Sequence, residues 1–418
     1  MKLHPWITVP ILIGVAAAAV YVPEMEEAKD FVAYREAASL LRGNGEIYQT
    51  GYIYPPTFAY LFGPFAVLSP RVSAVAWYGL NVALLTASVW MAARLAGLSG
   101  PWSLLPFVFI FRFANNTLRS GQANILILFL ICLTGHLVHR RREVGAALSL
   151  ALATVTKVTP GLLFLFFALQ QRWRLTISGG LGLALLLALP AVTAGPKRVG
   201  DLLHQWQGYA AAPYLSLEAP TPFEEPDTGY IPGQSIRATV HRLLRPIDAT
   251  PHDDAEIHIN LVSLSRGTAE IVTLLITLAL IGIFVWRLSG TRGRERFPLD
   301  YAIAILFILV ISPYVRKGHG VILLIPYAVA VAAWKDPARS RRFRTGTGVG
   351  ILVSFVLASL TGRFLLGVRA AGITSAYSLF LWGVVALLIW AMIAARQGGE
   401  GEEQAGSRLT LPADSRAP

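Results

Sequence analysis

The amino-acid sequence predicts an all-α protein that crosses a membrane many times, because its composition and its long apolar runs both indicate a lipid environment. Of its 418 residues, 54% are hydrophobic and only 14% are charged, and the mean hydropathy is +0.55. Soluble domains carry about 25% charged residues, so an ordinary soluble fold is excluded. We expect a bundle of about 10–12 transmembrane helices, with amphipathic helices on its outer surface. The runs that predict membrane helices are 7–21, 74–95, 125–138, 175–192, 269–286, 301–311, 321–334, 348–360 and 377–395.

Several of these runs are shorter than the roughly 20 residues that a straight membrane-spanning helix requires. Tilted, broken or re-entrant helices are therefore expected among them. The segment 143–170 contains such a break, because Lys157-Val158-Thr159-Pro160 interrupts it, and a hairpin of two short helices is predicted there. The first run is longer than a signal-peptide core and lacks a convincing cleavage site, so we expect it to remain as an anchor.

The net charge of +12 arises from basic clusters in short segments between the apolar runs. The clusters are 139–142, 172–174, 292–296 and 335–344. By the positive-inside rule these segments are cytoplasmic. This places both termini on the cytoplasmic side of what we expect to be the plasma membrane. The same topology places Asp30, Gln122, the segment 195–264 and the segment 314–319 together on the extracytoplasmic side. The sequence shows no aromatic and basic platform for single-stranded nucleic acid beside the clusters. We therefore expect the protein to contact a lipid bilayer and not nucleic acid.

The chain is predicted to form one membrane domain over residues 1–395, followed by a disordered cytoplasmic tail over 396–418. Two outer loops, 23–56 and 195–266, belong to the membrane domain. The second loop is rich in proline and is therefore expected to be largely irregular. Within it, apolar residues recur at helical spacing over 234–244, which predicts a helix that lies on the membrane surface.

Asp30 is the carboxylate that points most directly to chemistry. It stands just outside the first predicted span, in a segment whose Phe31, Tyr34, Ala38 and Leu41 form one helical stripe. Such a helix lies in the membrane surface and holds Asp30 at the water boundary, where a base reaches a lipid-borne substrate. Capping of the helix start is the structural alternative for this residue.

Arg316, Lys317 and His319 break the positive-inside pattern, because the predicted topology places them outside, directly before an apolar run. They either reach anionic lipid headgroups or clamp a lipid phosphate, with the cations neutralising it and His319 donating a hydrogen bond or a proton. Similar chemistry, or simple contact with water, is open to three residues of the predicted loop helix: Arg237, His241 and Arg242.

Other polar residues stand close to apolar runs. Lys157 must reach the interface, pair with a carboxylate or line a polar cavity, and the adjacent Pro160 favours the cavity. Gln122 and Asn124 lie in a polar outer turn, where they bond sugar hydroxyls or cap the following helix; capping is the expected role of Asn124. No pair of His or Cys has metal-ligand spacing, so no metal site is predicted and a metal requirement stays open.

The order of several short segments resembles the motif series of glycosyltransferase family 87. The segments are Asp30-Phe31 with Tyr34, Tyr54-Pro55-Pro56, Gly121-Gln122-Ala123-Asn124, Lys157-Val158-Thr159-Pro160, Gln234-Ser235-Ile236, and Ser312-Pro313-Tyr314 leading to His319. The family comprises membrane enzymes of the GT-C superfamily, including mannosyltransferases that depend on polyprenyl-phosphate mannose. The resemblance covers about residues 31–327, which is most of the predicted membrane core.

The resemblance implies a GT-C-type bundle in which Asp30 is the general base and the His319 region holds the donor's phosphate. Together with the residue-level observations, the predicted catalytic residues are Asp30 and His319. The predicted substrate-binding residues are Tyr34, Tyr54, Gln122, Lys157, Gln234, Arg237, Arg316 and Lys317. The chain departs from the family at two places. Family members commonly have Asn where this chain has Gly233, and a Trp followed by paired His where it has the segment 314–319.

The function that these observations favour is transfer of a sugar, mannose being favoured, from a polyprenyl phosphate to an envelope lipid or glycan acceptor. The polyprenyl-phosphate sugar is the donor substrate, and no cofactor is firmly predicted. A phosphate leaves already charged, so the enzyme needs a base for the incoming hydroxyl and cations for the departing oxygens. Two alternatives stay open: a transporter or lipid flippase in which Lys157 and Asp30 are pathway charges, and a scaffold of an envelope-synthesis complex.

Overall fold

The computed structural model describes residues 8–208, 233–250, 257–289 and 296–409, with side chains as far as residue 396. Every regular element within these ranges is a helix, which confirms the all-α prediction. In chain order the α-helices are α1 (Thr8–Glu26), α2 (Lys29–Arg42), α3 (Pro56–Ala66), α4 (Pro70–Ala96), α5 (Leu105–Ser120), α6 (Asn124–His139), α7 (Glu143–Thr156), α8 (Leu162–Leu169), α9 (Trp173–Ala188), α10 (Ala191–Ala194), α11 (Pro196–Trp206), α12 (Ile236–Leu244), α13 (Arg266–Leu288), α14 (Phe297–Ile311), α15 (Leu324–Lys335), α16 (Arg341–Ser359), α17 (Arg363–Ala376) and α18 (Leu379–Leu409). The 3₁₀ helices are Ile47–Thr50, Gly100–Ser103, Thr159–Gly161 and Lys317–Leu323.

Six helical segments in the described ranges are long and apolar enough to cross a membrane, and the pair α16 and α17, bent by 80°, makes a seventh. Four further apolar segments are shorter: α6, α7, 159–169 and α14. The chain is thus a polytopic membrane protein. The expected number of 10–12 helices is reached only when the short segments are counted, because each is too short to cross a bilayer alone.

Proline and glycine residues lie at several helix boundaries. The predicted break between two short helices is found: α7 ends at Thr156, Thr159–Gly161 forms a 3₁₀ turn, and α8 follows. Pro56 is the first residue of α3, where its missing N–H costs no hydrogen bond. The backbone of α18 continues to Leu409, beyond residue 396, where the disordered tail is predicted to begin.

The protein core is formed by the helices at the centre of the bundle. Residues 300–310 of α14 and 324–331 of α15 are almost wholly inaccessible to solvent, and α6 packs between α4 and α7. The peripheral helices α9 and α13 carry large apolar side chains on their outer faces, including Leu185 at 72% exposure and Leu275 at 61%. Exposed leucines in such numbers are typical of helices that face lipid tails.

The two ends of the bundle carry different side chains. At one end, residues from α1, α2, α5, α17 and the segment 316–318 surround a cleft. At the other end, Arg172 pairs with Glu143 at 3.2 Å, and Arg296 and Arg339 line one cavity of about 310 Å³. The basic clusters described by the structure therefore lie at the end away from the cleft.

Candidate active site

Asp30 occupies the first turn of α2, directly after the break that separates α2 from α1. The N-cap residue is Ala28, and no side chain caps the helix. Helix capping therefore does not explain the presence of Asp30, although a carboxylate in the first turn also suits the helix dipole. Its Oδ2 accepts a hydrogen bond from Nε2 of Gln122 at 2.8 Å, and both residues line the cleft.

The turn that carries Gln122 packs closely against α2 because its first residue is Gly121. Gly121 ends α5 with φ of +63°, a conformation that residues with a Cβ rarely adopt. A Cβ at this position would lie 2.8 Å from Cβ of Phe31, and the Gly121 carbonyl accepts a 2.8 Å hydrogen bond from Trp77. The glycine thus brings Gln122 within bonding distance of Asp30.

A chain of hydrogen bonds continues from Gln122 into the bundle. Oε1 of Gln122 accepts from Nδ2 of Asn124 at 2.7 Å, and Oδ1 of Asn124 accepts from the Lys157 amine at 3.1 Å. Asn124 is the first residue of α6, whose N-cap is Ala123 without a side-chain hydrogen bond, so the expected capping role of Asn124 is wrong. Lys157 contacts His319 at its other side. The cavity beside Lys157 holds about 20 Å³ and has mostly apolar walls, so the expected polar cavity is not found there.

His319 is held by protein groups at both ring nitrogens. Nδ1 accepts from the backbone N–H of Arg316 at 3.2 Å, and Nε2 meets the Lys157 amine. With Nδ1 accepting, a neutral ring carries its proton on Nε2, and the Lys157 amine accepts a hydrogen bond from it only in the uncharged form. His319 also lies outside the set of described residues that line the cleft. The geometry therefore makes His319 a support for Lys157 and for the 316–319 backbone.

Two tyrosines pack behind Asp30. The hydroxyl of Tyr34 donates to the hydroxyl of Tyr54 at 3.1 Å, and the two rings meet edge to face. Burial raises the pKa of Tyr34 and of Tyr54 above the usual value of a phenol, so both stay protonated near neutral pH. Both side chains are almost inaccessible, at 1% and 7% exposure, and they contribute to the wall of the site from within the core.

Arg316 and Lys317 are neighbours in sequence but extend to different parts of the cleft. The guanidinium of Arg316 lies 5.4 Å from the ring centre of Tyr314 and is exposed. The amine of Lys317 turns toward α17 and donates to the hydroxyl of Ser375 at 2.7 Å. Within the described ranges, neither cation pairs with a carboxylate.

The cleft has a volume of about 1130 Å³ and brings together predicted site residues from distant parts of the sequence. Gln234 reaches it because its backbone N–H donates to the Val315 carbonyl at 2.6 Å and its amide donates to the Ser375 carbonyl at 3.0 Å. Of the predicted site residues, those that line the cleft are Asp30, Gln122, Gln234, Arg316 and Lys317. Those in the layer behind it or beside it are Tyr34, Tyr54, Lys157 and His319.

Arg237 does not belong to this cleft. It pairs with Glu270 of α13 through Nε at 3.0 Å and through Nη2, and only 6% of its side chain is exposed. His241 lies beside the same carboxylate at 3.3 Å, while Arg242 donates to the hydroxyl of Ser378 at 2.6 Å. The alternative of simple contact with water does not hold for these residues, because all three are buried in the contacts of α12.

The sequence interpretation missed two arginines and one serine of the cleft. Arg112 lies on α5 and Arg363 begins α17; Ser375 stands near the end of the same helix. Arg112 had a recognisable signal, since a charge inside the apolar stretch 104–114 is costly and marks a functional position. Much of the predicted outer loop, over 209–232 and 251–256, lies outside the described residues.

A polytopic helical bundle with a polar cleft at one end defines a membrane protein that handles a substrate at the lipid boundary. A family model, glycosyltransferase family 87, matches residues 52–313 of the 418. The match spans more than half of the chain, and the protein belongs to glycosyltransferase family 87. It is accordingly a membrane glycosyltransferase, and the transporter and scaffold interpretations give way to an enzyme.

The matched range covers only part of the predicted site. It contains Tyr54, Gln122, Lys157 and Gln234, but it begins after Asp30 and ends before the segment 316–319. Family membership thus does not by itself assign the base or the cations. Among curated proteins, no sequence matches the chain significantly.

Proposed function

We propose that this glycosyltransferase moves a sugar, with mannose favoured, from a polyprenyl phosphate to an envelope lipid or glycan acceptor, with Asp30 as general base. The observation that carries the proposal is the single cleft that contains Asp30 together with Arg316 and Lys317, cations without a carboxylate partner in the described ranges. A glycosyl phosphate donor requires this combination of base and positive charge.

In the proposed reaction, the acceptor oxygen forms a bond to the anomeric carbon while the bond between that carbon and the phosphate oxygen breaks. The electron pair of the broken bond leaves with the phosphate, whose charge Arg316 and Lys317 stabilise. The acceptor hydroxyl gives its proton to the carboxylate of Asp30. Direct attack of this kind inverts the configuration of the sugar carbon.

Gln122 supports this role because it holds one carboxylate oxygen of Asp30 and leaves the other for the acceptor hydroxyl. Lys157, which follows Gln122 and Asn124 in the hydrogen-bonded chain, connects Asn124 to His319. Since Arg316 donates its backbone N–H to His319, the same chain ends at the segment proposed to bind phosphate. Gln122, Asn124, Lys157 and His319 are therefore positioning residues in this proposal.

The proposed orientation places the cleft on the extracytoplasmic side of the plasma membrane and both termini in the cytoplasm. Its support is the distribution of charge, because the described basic clusters lie at the end of the bundle opposite to the cleft. Polyprenyl-linked sugars presented at the outer leaflet would then meet Asp30 at the membrane surface.

Purified protein tests the donor class directly. Radiolabelled polyprenyl-phosphate mannose, supplied with an envelope lipid extract as acceptor, should give a labelled lipid or glycan product. A water-soluble nucleotide sugar with the same label should give none, because it has no chain to hold it at the membrane surface. Transfer from the nucleotide sugar, with none from the polyprenyl phosphate, would contradict the proposal.

A further inference from the structure

A group of three cations lies at the end of the cleft that is formed by α17. The group consists of Arg112 from α5, Lys317 from the 3₁₀ helix Lys317–Leu323, and Arg363 at the start of α17, and all three line the cleft. None of them forms an ion pair within the described ranges. The charged groups that act on Lys317 are themselves arginines: Arg112, Arg363 and Arg242. Like charges repel at such positions, so an anionic ligand would stabilise the group.

The protein holds two of these cations in fixed positions. Arg112 donates to the Ser359 carbonyl at 3.0 Å, and a Cβ on Gly362 would lie 2.9 Å from its guanidinium carbon. Lys317 donates to the hydroxyl of Ser375 at 2.7 Å. A guanidinium has five N–H donors and an ammonium has three, so both groups keep donors for a ligand after these contacts.

Arg316 does not belong to this group, and Lys317 is the cation that the group shares with the proposed reaction. The guanidinium of Arg316 lies 5.4 Å from the ring centre of Tyr314, whereas the amine of Lys317 donates to Ser375 of α17. The cleft therefore contains Arg316 and, around Lys317, a denser cationic region at α17.

The surface next to this region is apolar. Phe364 follows Arg363 directly and is fully exposed, and Leu365, Leu366 and Val368 are 58%, 41% and 56% exposed. An apolar surface of this kind that begins at a cationic site suits a molecule with an anionic head and a hydrocarbon tail.

We propose that Arg112, Lys317 and Arg363 bind the phosphate group of a long-chain lipid, whose hydrocarbon chain lies along the exposed apolar residues that begin at Phe364. Charge-assisted hydrogen bonds from guanidinium and ammonium groups are the preferred contacts of phosphate oxygens. The proposal rests on the proposed function for its assignment to a substrate lipid. The binding site itself does not require that sugar transfer occurs.

A direct binding measurement on the detergent-purified full chain tests this site. The probes are a polyprenyl phosphate and the polyprenol of equal length, with inorganic phosphate as a third ligand. Wild-type protein should bind the lipid phosphate at least about 10-fold more tightly than either the alcohol or inorganic phosphate, because only the lipid phosphate offers both head and tail. Equal affinity for the phosphate and the alcohol would overturn the proposal.

Substitutions locate the site. Arg112→Gln, Lys317→Gln and Arg363→Gln should each weaken binding of the lipid phosphate about 10-fold and leave polyprenol binding unchanged. Phe364→Ser should weaken both ligands. Arg119→Gln is the matched control, since Arg119 lines the same cleft but already pairs with Glu24. If all three Gln variants bind the lipid phosphate as the wild type does, the site is refuted.

A second experiment distinguishes two sources of the lipid phosphate. The same variants are placed in nanodiscs of phosphatidylglycerol or of phosphatidylcholine, and retention of phosphatidylglycerol on delipidation is measured. Loss of polyprenyl phosphate binding alone confirms the site as one for the sugar donor. Loss of phosphatidylglycerol retention alone confirms a lipid-phosphate site that serves a phospholipid. Because neither measurement uses transfer, their outcome is distinguishable from a failure of Asp30 as the base.

Discussion

Gln122 is the residue that fixes the orientation of Asp30, through the 2.8 Å hydrogen bond to Oδ2. Replacing it by leucine removes that bond while retaining a side chain of similar size. We expect Gln122→Leu to lower kcat by about 10-fold or more with little change in the donor KM, because a charge-assisted hydrogen bond is worth about 1.5–3 kcal/mol. Steady-state kinetics over donor concentration measure this.

The control for Gln122 is Ser120→Ala. Ser120 also lines the cleft, but its hydroxyl donates only to the Asn116 carbonyl of its own helix. A rise in donor KM with unchanged kcat in Gln122→Leu would show that Gln122 binds the donor and does not position the base.

Gly318 forms a second contact on which the site depends. A Cβ there would lie 2.8 Å from Oε1 of Gln122 and 3.0 Å from Nδ2 of Asn124. We expect Gly318→Ala to displace the Gln122 amide and to lower kcat by about 10-fold, as small misplacements of catalytic groups do. Gly79→Ala, where no heavy atom lies within 4 Å, is the matched control and should keep full activity. Wild-type kcat in both variants would contradict the close packing described for Gly318.

The sequence alone was enough to select some residues of the site, whereas the contacts of others became known only from the structure. Asp30 and Gln122 belong to short motifs with a recognisable order, so they could be selected without a structure. The partner of Asn124 is Lys157, 33 residues later, and no local pattern reveals such a bond. Arg237 was expected to bind substrate. Its actual partner, Glu270, lies at the start of an apolar run, and only the fold shows that the two side chains meet.

At the scale of helices, the contact between α12 and α13 depends on the pair of Arg237 and Glu270, whose side chains are 6% and 9% exposed. We expect Glu270→Gln to destabilise the protein by about 3–5 kcal/mol, because it leaves a buried cation without its counterion. The melting temperature in detergent measures the effect. The double variant Arg237→Met, Glu270→Met should recover part of the lost stability. If Glu270→Gln instead raises the donor KM and leaves the melting temperature unchanged, Arg237 belongs to the substrate site.

The same contact predicts a dependence on pH through His241. Nδ1 of His241 faces Arg245 at 3.0 Å, so the ring accepts there and is neutral; burial lowers the pKa of His241. A folded pKa below the unfolded value of about 6.5 means that stability is present above about pH 6.5 and is lost as the pH falls further. The melting temperature should therefore fall between pH 7 and 5 more steeply in the wild type than in His241→Gln. Equal slopes would show that His241 titrates without a change in stability.

Helices were predictable where an apolar run was continuous. The runs at 74–95 and 269–286 correspond to α4 and α13. By contrast, α5 escaped prediction because Arg112, Asn115, Asn116 and Arg119 interrupt its hydrophobic pattern. Those polar residues face the cleft or neighbouring helices. The residues that form the site therefore interrupt the apolar pattern from which α5 could have been predicted.

For the whole molecule, the proposed orientation in the membrane is testable without any enzymology. Single cysteines at Glu46 and Leu261, both exposed positions, should react with a membrane-impermeant thiol reagent from outside in a Cys132→Ala background. Cysteines at Arg140 and Arg342, in the basic clusters, should react only after permeabilisation. The reverse pattern would place the cleft in the cytoplasm and remove the proposed outer-leaflet donor.

The measurement that tests the central claim most directly compares Asp30→Asn with Glu27→Gln in the transfer assay with polyprenyl-phosphate mannose. Both changes convert a cleft carboxylate into an amide, and the amide that replaces Asp30 retains an oxygen that can accept from Gln122. We predict that Asp30→Asn loses at least about 100-fold in kcat, since an amide cannot take up the acceptor proton, while Glu27→Gln stays near wild type. Donor binding should be retained in both variants. Transfer by Asp30→Asn within a few fold of wild type would contradict the assignment of Asp30 as the base.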